Sequence, residues 1–126
     1  MTWTELHERM AFMADLIAKA AEDPQAALHF NGNRPDVERL FGSEEGLLLA
    51  LQQRWMTALT AKLDQAHHEG VPAAQARAQL AAQERGLRAL LDAGMQRSVR
   101  VRALQHDEPR IAELFDGMPI SLQTIA

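Results

Sequence analysis

"SEEGLLLALQQRWMTALTAKLDQAHHEG", residues 43–70, is the stretch that decides the fold class. Ser43 is suited to cap a helix N-terminus. Glu44 and Glu45 put negative charge beside the unpaired N–H groups of the first turn, and Gly70 supplies a left-handed stop. Between these ends Leu48, Leu51, Trp55, Leu59, Leu63 and Ala66 recur at steps of three and four, so one face is apolar along its whole length. A helix of about 26 residues is roughly 39 Å long, enough to cross a domain and organise its core. Trp55 lies in the middle of that stripe and is expected to be a buried anchor.

Upstream, Thr2 and Glu5 have capping-box spacing and open a helix expected over residues 3–22. Leu6, Met10, Met13, Ile17 and Ala20 share a face of it. "PQAALHF" from Pro24 reads as a short helix, "NGN" (31–33) as a turn tolerant of positive φ, and "RPDVERLFG" as one or two helical turns ended by Gly42. Downstream, strong helix formers run from Pro72 to Gly94, with Gly86 a weak point. In "SVRVRAL", Val99 and Val101 alternate with Arg100 and Arg102 as in a strand, but no partner strand is readable, so helix is expected. "DEPRIAELFDG" reads as a helix from Glu108 or Pro109 to Phe115, stopped by Gly117. The pattern predicts an all-α fold over residues 1–126. It is a single-domain bundle of four or five main helices, with a long central helix and an extended C-terminal tail.

With 126 residues, 47% of them hydrophobic, the chain has the length and apolar content of one globular core. It contains no cysteine, which excludes disulfides, thiolate metal sites and a cysteine nucleophile. The formal net charge of −4 disfavours indiscriminate binding to nucleic acid or anionic lipid. "MTWTELHERM" places charges where a signal peptide needs an apolar run, and nothing approaches the roughly 18 apolar residues of a membrane span. A soluble cytoplasmic protein is expected.

Catalytic chemistry is not readable. "GSEEG" lacks the nucleophile-elbow spacing, and "NGN" lacks the glycine spacing and the Lys-Ser/Thr of a phosphate loop. Asp64 and His67 have a carboxylate-x-x-His spacing, but Ala103 stands three residues before His106, so no second copy exists. His67 and His68 read as a solvated helix end, and His7 as a surface residue. No enzyme activity, metal or cofactor is expected. Arg85, Arg88, Arg97, Arg100 and Arg102 form a candidate basic patch, for which pairing with the acidic N-terminal half is the simpler explanation than nucleic acid. Met10, Met13, Trp55 and Met56 are candidate pocket or interface residues because methionine adapts to irregular surfaces, although their spacing is equally that of core. Met118, Ile120 and Leu122 alternate in the uncharged tail and would share one side of an extended segment at a dimer interface.

"LFGSEEGLLLALQQRW" (40–55) resembles the junction in TetR-type repressors where the DNA-reading unit ends and the ligand-binding helices begin. The resemblance is carried by Phe41 as the aromatic, Ser43 as the cap, and Glu45, Leu47 and Leu48 as the start of the next helix. It implies an all-helical ligand or dimerisation body. Glu44 departs from the family, which commonly has Lys there, and "ALHFNGNRPDVERLF" does not read as a helix-turn-helix. The function expected is therefore that of a non-enzymatic helical protein forming a homodimer and binding a partner protein or apolar small molecule. The alternative is a transcription-related regulator, or a diverged TetR-type ligand-binding body, with a weak nucleic-acid-binding basic patch.

Overall fold

The computed structural model describes residues 2–30 and 32–117. They form eight helical segments and no strand: α1 (Trp3–Glu22), α2 (Pro24–Ala27), α3 (Arg34–Phe41), α4 (Glu44–Glu69), α5 (Ala73–Gln83), α6 (Arg85–Gly94), α7 (Val99–His106) and α8 (Glu108–Asp116). The all-α expectation holds, including helix for 99–106. Met118, Ile120 and Leu122 lie outside the described residues. Among the described residues no helix is long and apolar enough to cross a membrane.

Local chemistry explains most helix boundaries. Thr2 and Glu5 close the capping box at the start of α1, with Glu5 N–H donating to Thr2 Oγ1 at 3.1 Å and Thr2 N–H to Glu5 Oε2 at 3.2 Å. Asp23, Ser43 and Ser98 cap α2, α4 and α7 through their side-chain oxygens. Gly70 ends α4 in the left-handed conformation, at φ 74°. In the turn before α3 a positive φ falls on Phe30 (58°) as well as Gly32, where sequence reading assigned it to the Asn–Gly pair. Such a φ is strained for a bulky residue, and burial of the Phe30 ring in the core holds it there.

Every residue of the expected α4 stripe is buried, and Leu47 and Gln52 widen it. Around α4 the buried side chains of α1, α5, α6, α7 and α8 gather into one cluster. Two expectations need correction. The helix expected through 72–94 breaks at Glu84 (φ −106°, ψ 46°), two residues before Gly86. Gly86 serves packing instead: a Cβ there would lie 2.4 Å from the Ile17 carbonyl oxygen, so its absence lets α6 press onto the α1 backbone. On α1 the core side is carried by Leu16 and Ala20, with Phe12, Met13 and Ile17 packed against it. Leu6 and Met10, expected to share one apolar face with Met13, Ile17 and Ala20, are exposed, while those three pack inward. A true helix advances 3.6 residues per turn, so a face read at 3.5 drifts around it.

Candidate functional site

Glu108 is the only fully buried acidic residue among those described, with 1% of its surface accessible. It opens α8, where a carboxylate complements the helix N-terminus. Three other helices supply its partners. The Trp55 indole N–H of α4 donates to Oε1, Arg77 of α5 approaches Oε2 at 3.2 Å, and Arg88 of α6 lies 3.7 Å from Oε1. Arg88 also stacks over the Trp55 ring, 4.7 Å from its centroid, and gives two hydrogen bonds to Asp92 at 2.9 and 3.1 Å. A buried carboxylate is tolerated only when paired and hydrogen-bonded, and here two guanidiniums and an indole meet that need.

Glu108, Arg77, Arg88 and Asp92 also line a surface groove of about 400 Å³, together with Met95, Arg102, Gln105 and His106. Arg102 is held by an Nε–H bond to the Met95 carbonyl (3.2 Å), and Gln105 by contacts to Leu91 O (3.1 Å) and Gln52 Oε1 (3.3 Å). Four buried side-chain nitrogens lack a hydrogen-bond partner among the described residues: Gln52 Nε2, His67 Nε2, Arg77 Nε and Arg88 Nη1. Arg77 and Arg88 line this groove, and Gln52 braces its wall. Each unmet donor of this kind typically costs about 1–3 kcal/mol, so their concentration at one place is a feature to explain.

The five arginines of the expected basic patch do not form one surface. Arg97 bonds the Leu28 carbonyl at 3.1 Å and pairs with Glu44, while Arg100 lies 3.6 Å from Glu45. Ser98 Oγ–H donates to Glu45 at 3.0 Å. The acids that open α4 thus clasp the turn into α7, with Glu44 as one jaw. Arg88 is occupied in the buried cluster, Arg102 lies at the groove, and Arg85 is exposed on α6. Pairing with the acidic N-terminal half is the arrangement found for Arg97 and Arg100, whereas Arg88 pairs with Asp92 and Glu108 of its own half.

The apolar candidates are also scattered. Trp55 has no accessible surface, so it lines no pocket; its interior position follows from the α4 stripe and its bond to Glu108. Met56 is half-buried beside Phe115 in an open groove of about 520 Å³ along α4. Met13 is half-buried on α1, whereas Met10 is 54% exposed on the same helix beside Leu6 (39%) and Trp3 (75%). Below this stripe Glu8, Arg39 and Asp36 tie α1 to α3, and hydrogen bonds to the two carboxylates raise the pKa of Arg39. Asp64 and His67, which have carboxylate-x-x-His spacing, form no ion pair among the described residues. Asp64 faces His68, 4.0 Å away, and His67 Nε2 is buried rather than solvated.

Sequence reading missed Glu108 and Gln52. An acid before proline looks like an ordinary first-turn residue. The available signal was a buried Trp that must place its N–H on an acceptor. No protein-family model matches the chain, and neither a curated protein nor a solved structure matches it.

Proposed function

We propose that this chain is a non-enzymatic, self-associating helical protein of the cytoplasm that uses the outer face of α1 as its contact surface. The observation that supports this reading is the exposed Trp3–Leu6–Met10 stripe. Its spacing of three and four is the repeat with which one helix packs along another. Trp3 and Met10 are large apolar side chains left in water, and exposed clusters of this kind mark association sites more often than isolated apolar residues do. In a two-fold dimer one stripe serves both subunits, because each residue meets the other copy's equivalent surface. A partner helix of similar pattern would use the same face. The cysteine-free composition suits a reducing cytoplasm.

Light scattering of the full chain and of Leu6→Glu and Met10→Glu variants tests the proposal. The parent chain is expected at dimer mass, and the variants at monomer mass with unchanged helical circular dichroism. A monomeric parent, or variants that stay dimeric, would remove α1 as the contact. A small apolar ligand is the second reading, favoured by the groove between Met56 and Phe115. Truncation after Gly117 probes the expectation that the tail contributes to the dimer.

A further inference from the structure

We propose that the groove bounded by α5, α6, α7 and α8 is a binding site for a small oxyanion, a carboxylate or phosphate group held by Arg77, Arg102 and His106. The inference is independent of the contact proposed on α1. It begins with the allocation of charge. Two acids line the groove, and both are already taken: Glu108 by Trp55, Arg77 and Arg88, and Asp92 by Arg88. The groove's other basic side chains, Arg102 and His106, have no acidic partner among the described residues. Arg102 has its Nε–H fixed on the Met95 carbonyl, which holds the guanidinium in place with its two terminal nitrogens unbonded. His106 stands four residues further along α7, on the same face, and makes no hydrogen bond or ion pair among the described residues.

A second, independent observation points the same way. Two buried nitrogens at this site, Arg77 Nε and the bracing Gln52 Nε2, have no hydrogen-bond partner among the described residues, and both are donors. A site with surplus donors and spent acceptors selects a ligand rich in acceptors. Guanidinium groups match the oxygen spacing of carboxylates and phosphates, and a fixed fork loses little freedom on binding them. The volume of about 400 Å³ is that of a small-molecule site rather than of a nucleic-acid track.

Calorimetric titration of the full-length chain with inorganic phosphate, and separately with succinate, tests the proposal and distinguishes the two oxyanion classes. Saturable binding of either is expected, with the stronger of the two naming the class. Arg102→Ala and His106→Gln, both surface changes, should each weaken it about tenfold while leaving the melting curve in place. Arg110→Ala removes the same charge from exposed α8 outside the groove and should leave affinity unchanged. Absence of saturable binding by both probes below about 10 mM would overturn the site. So would an Arg110→Ala loss as large as that of Arg102→Ala, because the attraction would then be diffuse charge.

Discussion

Two charged assemblies fasten the C-terminal helices to α4, and they are built in opposite ways. At the N-terminal end of α4, Glu44 and Glu45 meet Arg97, Ser98 and Arg100 in partly hydrated contacts; the Arg100 side chain is 75% exposed. At mid-helix, Glu108 and Trp55 are sealed, and the Arg88 side chain is only 14% exposed. Water can replace a partner lost from the first assembly. In the second it reaches Arg77 and Asp92 but not Trp55 or the Glu108 carboxylate, so a partner lost there leaves a buried group with the cost of its desolvation. The difference teaches where ionic contacts matter in this fold: burial, not the number of pairs, sets the size of the effect.

The largest consequence is expected for Glu108→Ala. Two guanidiniums would lose their buried counter-charge, which typically costs about 3–5 kcal/mol. Urea unfolding measures it, and a loss under about 1 kcal/mol would mean that α8 does not rest on this carboxylate. Trp55→Phe is the next step down. It keeps most of the apolar volume and the face beneath Arg88 but removes the indole N–H, for an expected loss of about 1–3 kcal/mol. In a cycle combining Trp55→Phe with Glu108→Gln, the two changes should be strongly non-additive because they share one bond. Additivity would separate the Trp from the carboxylate energetically.

The two assemblies were not equally legible in the sequence. The acids of the first were readable because they belong to a local pattern: Ser43, two glutamates and a leucine run define a helix start within six residues. The α4 stripe was legible for the same reason, since helical periodicity is carried by neighbours in the chain. Glu108 was not, because its burial depends on Arg77, Arg88 and Trp55 arriving from three separate helices. The break at Glu84 and the exposure of Met10 were hidden likewise. Both depend on how helices distant in sequence pack, which no local pattern carries. The groove inherits this illegibility: Arg88 and Arg102 stood out as charges, but nothing local distinguishes the one consumed by a buried acid from the one left unpaired.

Arg97 lies between the two extremes. Its guanidinium bonds the Leu28 carbonyl at the end of α2 and pairs with Glu44, so it joins three segments of chain. Partial burial preserves the charge-assisted bonds without imposing full desolvation. Arg97→Ala is expected to cost about 1–2 kcal/mol in urea unfolding. Arg97→Lys should recover only part of it, since a single ammonium does not reproduce the planar fork. Complete recovery by Lys would reduce the contact to simple charge.

The smallest effect is expected where the contact is most exposed. Arg100 Nε lies 3.6 Å from Glu45 Oε1, beyond ordinary hydrogen-bond length, and both side chains reach water. Attraction between such charges is weakened by the high dielectric and opposed by the entropy of holding two long side chains together, so exposed pairs contribute about 0–1 kcal/mol. Glu45 also keeps the Ser98 hydroxyl as a donor when Arg100 is removed, which leaves no unmet acceptor behind. A double-mutant cycle of Arg100→Ala and Glu45→Gln should therefore give a coupling under about 0.5 kcal/mol. Raising the salt from about 0.05 M to 0.5 M should shrink it further, because surface charges are screened over shorter distances. The Trp55–Glu108 coupling should barely change over the same range, since ions do not enter the core. A salt-insensitive Arg100–Glu45 coupling above about 1 kcal/mol would show that both assemblies are desolvated and would erase the contrast between them.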